Sequence, residues 1–284
     1  MNRESGIILE GGAMRSMFSA GILDYFLDKN ILIPNVLAVS AGAYAGMNYV
    51  SGQRGRVIDA VIKPLETDKY LGPGTFFRKG TFFDMDFLFE EVPKNRVPFD
   101  FEHFQSSPVR FITTTINCLT GETCYFEKFK DMDELMQICR AANSMPLLAK
   151  VADYLGTPML DGGMGDAIPI GKALEEGWKK ILVVLTRDRE YRKKRRHVYL
   201  MIIRTIYHKY PNFVRLVEER SERYNACLEQ IEQLEQEGRL MVFRPSTITV
   251  TNQESNVDTL MEYYQHGYDT AAEKAEELLA FLRA

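Results

Sequence analysis

Three short glycine-containing turns, each following an apolar run, hold the residue types with which this chain could do chemistry. The first runs Ile7-Ile8-Leu9-Glu10-Gly11-Gly12-Ala13-Met14-Arg15-Ser16, and the second Val36-Leu37-Ala38-Val39-Ser40-Ala41-Gly42. The third, far downstream, is Met159-Leu160-Asp161-Gly162-Gly163. Together they supply amide donors for an oxyanion, a serine on a sharp bend, and a carboxylate in a glycine turn. Those are the parts of a serine acyl hydrolase.

A serine hydroxyl attacks poorly unless a base takes its proton and donors hold the charge that develops on the substrate oxygen. A strand-to-helix elbow pushes Ser40 out of the sheet and aims the N–H of the next residue, Ala41, at that oxygen. Such an elbow needs small residues two before and two after the serine, because strand and helix nearly touch there. Ala38 and Gly42 occupy those positions, with Ala38 the larger of the two side chains.

In the upstream turn, Gly11, Gly12 and Ala13 can point their N–H groups together at an anionic oxygen. Arg15, in the first turn of the following helix, can brace the loop or face a phosphate. A dinucleotide site is the competing reading of this turn. It requires glycines where Ala13 and Ser16 stand, and an acid at the end of the second strand, where Val39 and Ser40 stand.

Four histidines are present, at positions 103, 197, 208 and 266. None sits beside a glycine turn at a strand end; His103, in a phenylalanine-rich stretch, is the one to expect nearest the serine. Asp161 is better placed to act as base, delivered by an apolar strand end and followed by two glycines that admit another backbone. A carboxylate with a pKa of about 4 is a weak base for a hydroxyl. Desolvation raises that pKa, and a strong oxyanion site lessens the demand on it. Standing alone, Asp161 would read as the cap of its own turn.

The elements that must carry these turns follow from periodicity. Strands are expected at Ile7–Leu9 and Val36–Val39, each followed by a helix, the first from Arg15 to about Lys29 and the second from Gly42 to Val50. Strand–turn–helix repeated in this way means a parallel sheet with right-handed crossovers, whose ligands gather at the carboxyl ends of the strands. Further strands are expected at Val109–Ile116, Cys124–Phe126, Lys180–Thr186 and Leu240–Phe243, and a helix at Asp133–Ala142. One long amphipathic helix is expected over 211–237 and a closing one from Val257 to about Leu282. Between residues 64 and 106, prolines are expected to interrupt any regular element. The phenylalanines crowded there pack as core or line an acyl-chain groove.

With 284 residues, the chain can bury a sizeable core in one large domain or two small ones. Its formal charge of −4 gives no reason to expect nucleic acid as a partner. Cys118, Cys124, Cys139 and Cys227 form no metal-binding spacing and read as free thiols of a cytoplasmic protein, a 118–124 hairpin disulfide being the alternative. No stretch is long and apolar enough to span a membrane, and Met1 to Ser5 lack the features of a secretory signal. A basic run from Arg187 to Arg196 reads as a solvated loop; its functional alternative is peripheral contact with an anionic membrane surface.

With the glycine loop, the Ser40 elbow and Asp161-Gly162-Gly163 in this order, the chain resembles the patatin-like phospholipases. The likeness extends through Asn143-Ser144-Met145-Pro146 and Asp166-Ala167-Ile168-Pro169, covers roughly residues 5 to 188, and in its later part looks like a bacterial branch. The resemblance implies a three-layer α/β sandwich with a central, mostly parallel sheet and helices on both faces. Residues 5–188 would form the catalytic core and 189–284 a helical extension with one late strand, packed on the same domain. It also implies a serine–aspartate dyad of Ser40 and Asp161, and oxyanion donors from Gly11, Gly12 and Ala13. A lipid or other acyl ester would be the substrate, with no cofactor and no metal. Ala13, Ser16 and Ala38 depart from the family's glycines. If position 13 needs positive φ, the oxyanion loop is strained, and a weak or silent lipid-binding protein on the same fold becomes the alternative.

Overall fold

Alternation along the strands sorts the core onto two sides of one sheet. In the computed structural model, which describes residues 4–283, Ile7 and Leu9 of the first strand pack on one face while Ile8, between them, packs on the other. Residues 1–3, part of the segment read above for a targeting signal, lie outside the described residues.

The first half of the chain runs β1 (Ser5–Leu9), α1 (Met17–Asp28), β2 (Asn35–Val39), α2 (Ala41–Val50), α3 (Pro64–Thr67), α4 (Pro73–Lys79), α5 (Phe101–Ser106), β3 (Arg110–Asn117), β4 (Thr123–Phe126) and α6 (Met132–Ala142). The second half runs β5 (Ala152–Tyr154), β6 (Thr157–Asp161), α7 (Ile170–Glu175), β7 (Lys180–Val184), α8 (His197–Ile206), α9 (Pro211–Glu218), α10 (Arg220–Gln236), β8 (Leu240–Phe243), α11 (Val257–Glu273) and α12 (Ala275–Arg283). The sheet order is β5-β6-β3-β2-β1-β7-β8, with β4 also paired to β3. From β3 to β8 the neighbours are parallel, whereas β4, β5 and β6 pair antiparallel.

One face carries Phe18 and Ile22 of α1, Ala43 and Met47 of α2, Leu135 of α6, and Leu260 and Tyr263 of α11. The other carries Ile170 and Ala173 of α7 with Tyr224, Leu228, Ile231 and Leu234 of α10. The molecule is therefore the expected α/β sandwich, a mixed central sheet between two helical layers. Buried on both faces, β1, β2 and β7 are continuous apolar runs, as parallel strands must be. The late strand β8 joins the same sheet beside β7, and α11 lies on α1, where Tyr264 donates to the buried Asp24 carboxylate at 2.6 Å.

Several boundaries differ from expectation. The long helix over 211–237 is two, interrupted at Glu219, and the closing helix is likewise interrupted at Lys274. Helix α8 was not expected, since the basic run masks its start. Prolines interrupt the 64–106 stretch less than expected, with Pro98 alone lying in an irregular link, between Arg96 and α5. Pro64 and Pro73 occupy first helical turns, where a missing N–H costs nothing, and Pro93 lies in a wide π-helical segment over Phe87–Arg96. All four cysteines are free, Cys118 and Cys139 fully buried.

Candidate functional site

Strand register brings the serine and the aspartate together across 121 positions of sequence. Val39 of β2 pairs with Thr114 of β3, and Thr115, the next residue, pairs with Asp161 at the end of β6. Ser40 then leaves β2 in a left-handed conformation, with φ 55°, and α2 starts at Ala41. That backbone costs roughly 1–2 kcal/mol for a residue with a side chain, and it turns the hydroxyl out of the sheet. Ser40 Oγ donates to Asp161 Oδ2 at 2.5 Å, and Asp161 Oδ1 accepts the Gly163 N–H at 2.8 Å.

Two close approaches explain a glycine of the elbow and one of the loop facing it. A side chain at Gly42 would start 2.7 Å from the Leu9 carbonyl oxygen, and one at Gly11 would start 2.5 Å from Ser40 Cβ. Ala38, by contrast, is fully buried beside Leu9 of β1 with its methyl group accommodated in the core. Ala13 has φ 50°, so the condition posed by the sequence is met: the loop takes the left-handed turn with alanine in it and is strained there. Among the described residues, no hydrogen bond occupies the N–H groups of Gly11, Gly12 or Ala13. Ser16, the other departure in this loop, is buried with its hydroxyl unpartnered.

Asp161 is 2% exposed and Ser40 5%. Burial pushes the Asp161 carboxyl up to about 6, against the opposing pull of the Ser40 hydroxyl, the Gly163 N–H, Arg220 and Lys193. A carboxylate tuned in this direction is a better proton acceptor than an exposed one.

Ser40 stands between two small cavities of about 60 Å³ each. One is apolar, lined by Met14, Met17, Tyr44, Val61, Phe83 and Phe89 among others. Of the crowded phenylalanines, only Phe83 and Phe89 line this cavity. Phe87, Phe99 and Phe104 are core, and Phe77 projects into solvent. The other cavity is polar and basic, holding Glu10, Arg15, Arg187, Lys193 and Arg220 beside the serine and the aspartate. Met145, from the Asn143–Pro146 segment, borders both. Ser144 of that segment fixes the aspartate turn by accepting the Asp161 N–H at 3.0 Å.

No histidine lines either cavity. His103 lies on α5 against Gly52, and His266 accepts the Ser246 N–H. Sequence reasoning missed Glu10, Thr186, Arg220 and Tyr224. Glu10 is buried beside the glycine loop, where its carboxylate accepts from the Thr186 N–H at 2.7 Å and the Tyr224 hydroxyl at 2.7 Å. Arg220 Nε donates to the Gly163 carbonyl, and Arg223 to those of Met164 and Gly165, so α10 grips the aspartate turn from outside. An unusual acid immediately before two glycines was the one sequence signal for this set.

Among the described residues, no helix is long and apolar enough to cross a membrane, and no group of three potential metal ligands gathers.

A family model described as patatin-like phospholipase matches residues 7–174, and one described as a domain of unknown function, DUF6363, matches residues 210–283. An uncharacterized Escherichia coli K12 protein, YjjU, is 26% identical over an alignment of 188 residues that covers 63% of this chain and 51% of that protein. The chain thus spans about half the length of this curated relative. The crystal structure of VipD from Legionella pneumophila superposes with a TM-score of 0.48 at 13% identity, over 96% of this chain and 66% of that one.

Proposed function

The chain belongs to the patatin-like phospholipase family, and from that premise we propose that it is a serine acyl hydrolase of phospholipase or lysophospholipase type. Family membership supports a lipid acyl hydrolase in general terms. The finer reading is carried by one observation, the 2.5 Å hydrogen bond from Ser40 Oγ to the buried Asp161 carboxylate.

In this mechanism Asp161 takes the Ser40 proton as Oγ bonds to the acyl carbonyl carbon. The carbonyl electron pair moves onto oxygen, held by the N–H groups of Gly11, Gly12 and Ala13 with that of Ala41. Collapse breaks the ester bond. The departing alkoxide takes the proton from Asp161, leaving the acyl group on Ser40. Water then attacks with Asp161 again as base, and the fatty acid leaves as Ser40 recovers its proton. The apolar cavity receives the acyl chain next to the serine.

A fluorophosphonate probe is expected to label Ser40, and Ser40→Ala to abolish both labelling and ester hydrolysis. Labelling that survives Ser40→Ala would refute the assignment. The competing reading, a silent lipid-binding protein on this fold, draws on the strained Ala13 loop. Steady turnover of a short-chain p-nitrophenyl ester by the wild type, absent in Ser40→Ala, rejects it.

Peripheral membrane contact is proposed through α8. Its outer face bears Val198 and Met201, 72% and 62% exposed, with Ile202 and Ile206, and the exposed Lys194, Arg195 and Arg196 precede it. An apolar stripe beside exposed cations suits the interface of an anionic bilayer. The proposed location is the cytoplasm, at the inner face of a membrane. Co-sedimentation with vesicles containing phosphatidylglycerol, but not with pure phosphatidylcholine, is the expected result; replacement of Lys194, Arg195 and Arg196 by glutamine with no change in binding would refute it. Residues 5–188 are proposed as the catalytic core and 189–284 as its helical extension.

A further inference from the structure

The two cavities at Ser40 differ in chemistry, and an ester bound at the serine has two arms. If the acyl arm occupies the apolar cavity, the alcohol arm enters the basic one. Four cations line that second cavity, contributed by the loop after the glycine turn (Arg15), the segment after β7 (Arg187, Lys193) and the start of α10 (Arg220).

Two carboxylates, Glu10 and Asp161, share the cavity and offset part of this charge, but the four cations outnumber them. Arg192, Arg195, Arg204, Arg223 and Arg244, which surround this region, each meet a glutamate. Among the described residues, none of the four inward-facing cations forms such a pair. Arg15 Nε is buried without a hydrogen-bond partner. The Lys193 ammonium rests 4.1 Å over the Tyr224 ring, and the Arg187 guanidinium 4.4 Å over the Tyr191 ring. Arg220 spends one donor on the Gly163 carbonyl. Of the two acids present, Asp161 is engaged by Ser40 and Gly163, and Glu10 by Thr186 and Tyr224.

Gathering like charges in a half-buried site works against folding. Burial and the neighbouring Arg187 lower the pKa of Arg15. Burial, with Arg220, Arg15 and Arg187 nearby, brings Lys193 down to about 7. An unpaired cationic cluster of this kind is a site awaiting an anion.

Resting on the Ser40 hydrolase reading, we propose that Arg15, Arg187, Lys193 and Arg220 form an anion subsite that binds a phosphate group carried on the alcohol arm of the substrate. The enzyme therefore selects acyl esters of phosphorylated glycerol over neutral glycerides. Planar guanidinium groups and an ammonium suit the tetrahedral phosphate oxygens.

The test compares kcat/KM for a monoacylglycerol 3-phosphate with that for a monoacylglycerol of the same acyl chain. Wild type is expected to prefer the phosphate ester by at least about tenfold, and the double variant Arg187→Gln/Lys193→Met to lose at least about tenfold of that preference. In parallel, binding of inorganic phosphate and of the monoacylglycerol phosphate is measured by calorimetry on Ser40→Ala protein with and without the double change. Tenfold weaker binding of the lipid phosphate in the changed protein supports the proposal even where turnover is too slow to measure. No preference in the wild type, or a preference untouched by the double variant, overturns it. Inorganic phosphate that binds through these residues while lipid phosphate does not assigns the cavity to free phosphate and also overturns it. A far-ultraviolet spectrum and melting curve like those of wild type establish that the double variant is folded. Ester turnover that survives Ser40→Ala would be a failure of the hydrolase reading instead, so the two are distinguishable.

Discussion

Replacing Asp161 with asparagine should make the protein more stable and inactive at once, and the gain should depend on pH. The carboxyl is displaced from its usual 3.8 to about 6, chiefly by burial. That displacement corresponds to about 3 kcal/mol of preference for the neutral form in the folded state. The linkage has a definite sign. Below pH 3.8 the group is protonated folded and unfolded, and its contribution is complete. Between about 4 and 6 the unfolded chain has released the proton while the folded one still holds it. Stability is therefore lost as pH rises through this window, and the loss levels off above about 6. Asparagine has the same shape, accepts the Gly163 N–H in the same way, and does not titrate. The stability difference between Asp161→Asn and wild type should accordingly grow by up to about 3 kcal/mol from pH 4 to pH 6.5, then stay flat. Urea denaturation of both proteins across this range measures it, since titrating groups remote from Asp161 cancel in the difference and the neighbouring Lys193, brought down to about 7, titrates mostly above this window. A difference independent of pH, or one that shrinks as pH rises, would refute the claim that the resting carboxylate is held at a cost by its surroundings.

On the proposed mechanism the same displacement should set the rate. Ester hydrolysis should rise with pH through an apparent pKa of about 6, as Asp161 becomes able to accept the serine proton, and a pH–rate profile lacking that limb would remove it as base. Ala13→Gly, which relieves a left-handed alanine, should raise stability by roughly 0.5–1 kcal/mol without lowering kcat, as read by urea denaturation and p-nitrophenyl ester turnover. Gly42→Ala should do the reverse. Its methyl would meet the Leu9 carbonyl oxygen at 2.7 Å, so loss of fluorophosphonate labelling together with a destabilisation of at least about 2 kcal/mol is expected.

Ser40 and Asp161, the pair we propose as a dyad, stood out in the sequence because both sit at strand ends. An apolar run followed by small residues marks an elbow, and an apolar run ending in Asp-Gly-Gly marks a carboxylate turn. Parallel pairing of β1 and β2 followed from two strand–turn–helix units in succession. That Asp161 would stand beside Ser40 could not be read from spacing. It depends on β6 running antiparallel to β3 in a particular register, a long-range choice made by packing. The basic cavity was hidden for a similar reason. Arg187 and Lys193 lie in a run of seven cations that looks uniformly solvated, and only the fold turns these two inward while Arg192 meets Glu232. Arg220 gave no sign at all, being one charge among many on an amphipathic helix. Helix α8 escaped because its apolar stripe faces outward, where periodicity alone gives no reason to expect an exposed helix.

The grip of Arg220 and Arg223 on the carbonyls of residues 163–165 ties the geometry of the Asp161 turn to a helix outside the segment the phospholipase model matches. On the proposed mechanism, the motif-bearing portion alone would therefore not carry the chemistry. A shortened chain ending near position 188 would keep every hallmark residue yet forfeit the brace behind Asp161, and bare the flank of β7 where β8 belongs. Relatives that differ only in this downstream third should therefore differ in catalytic competence, though their signature turns read alike.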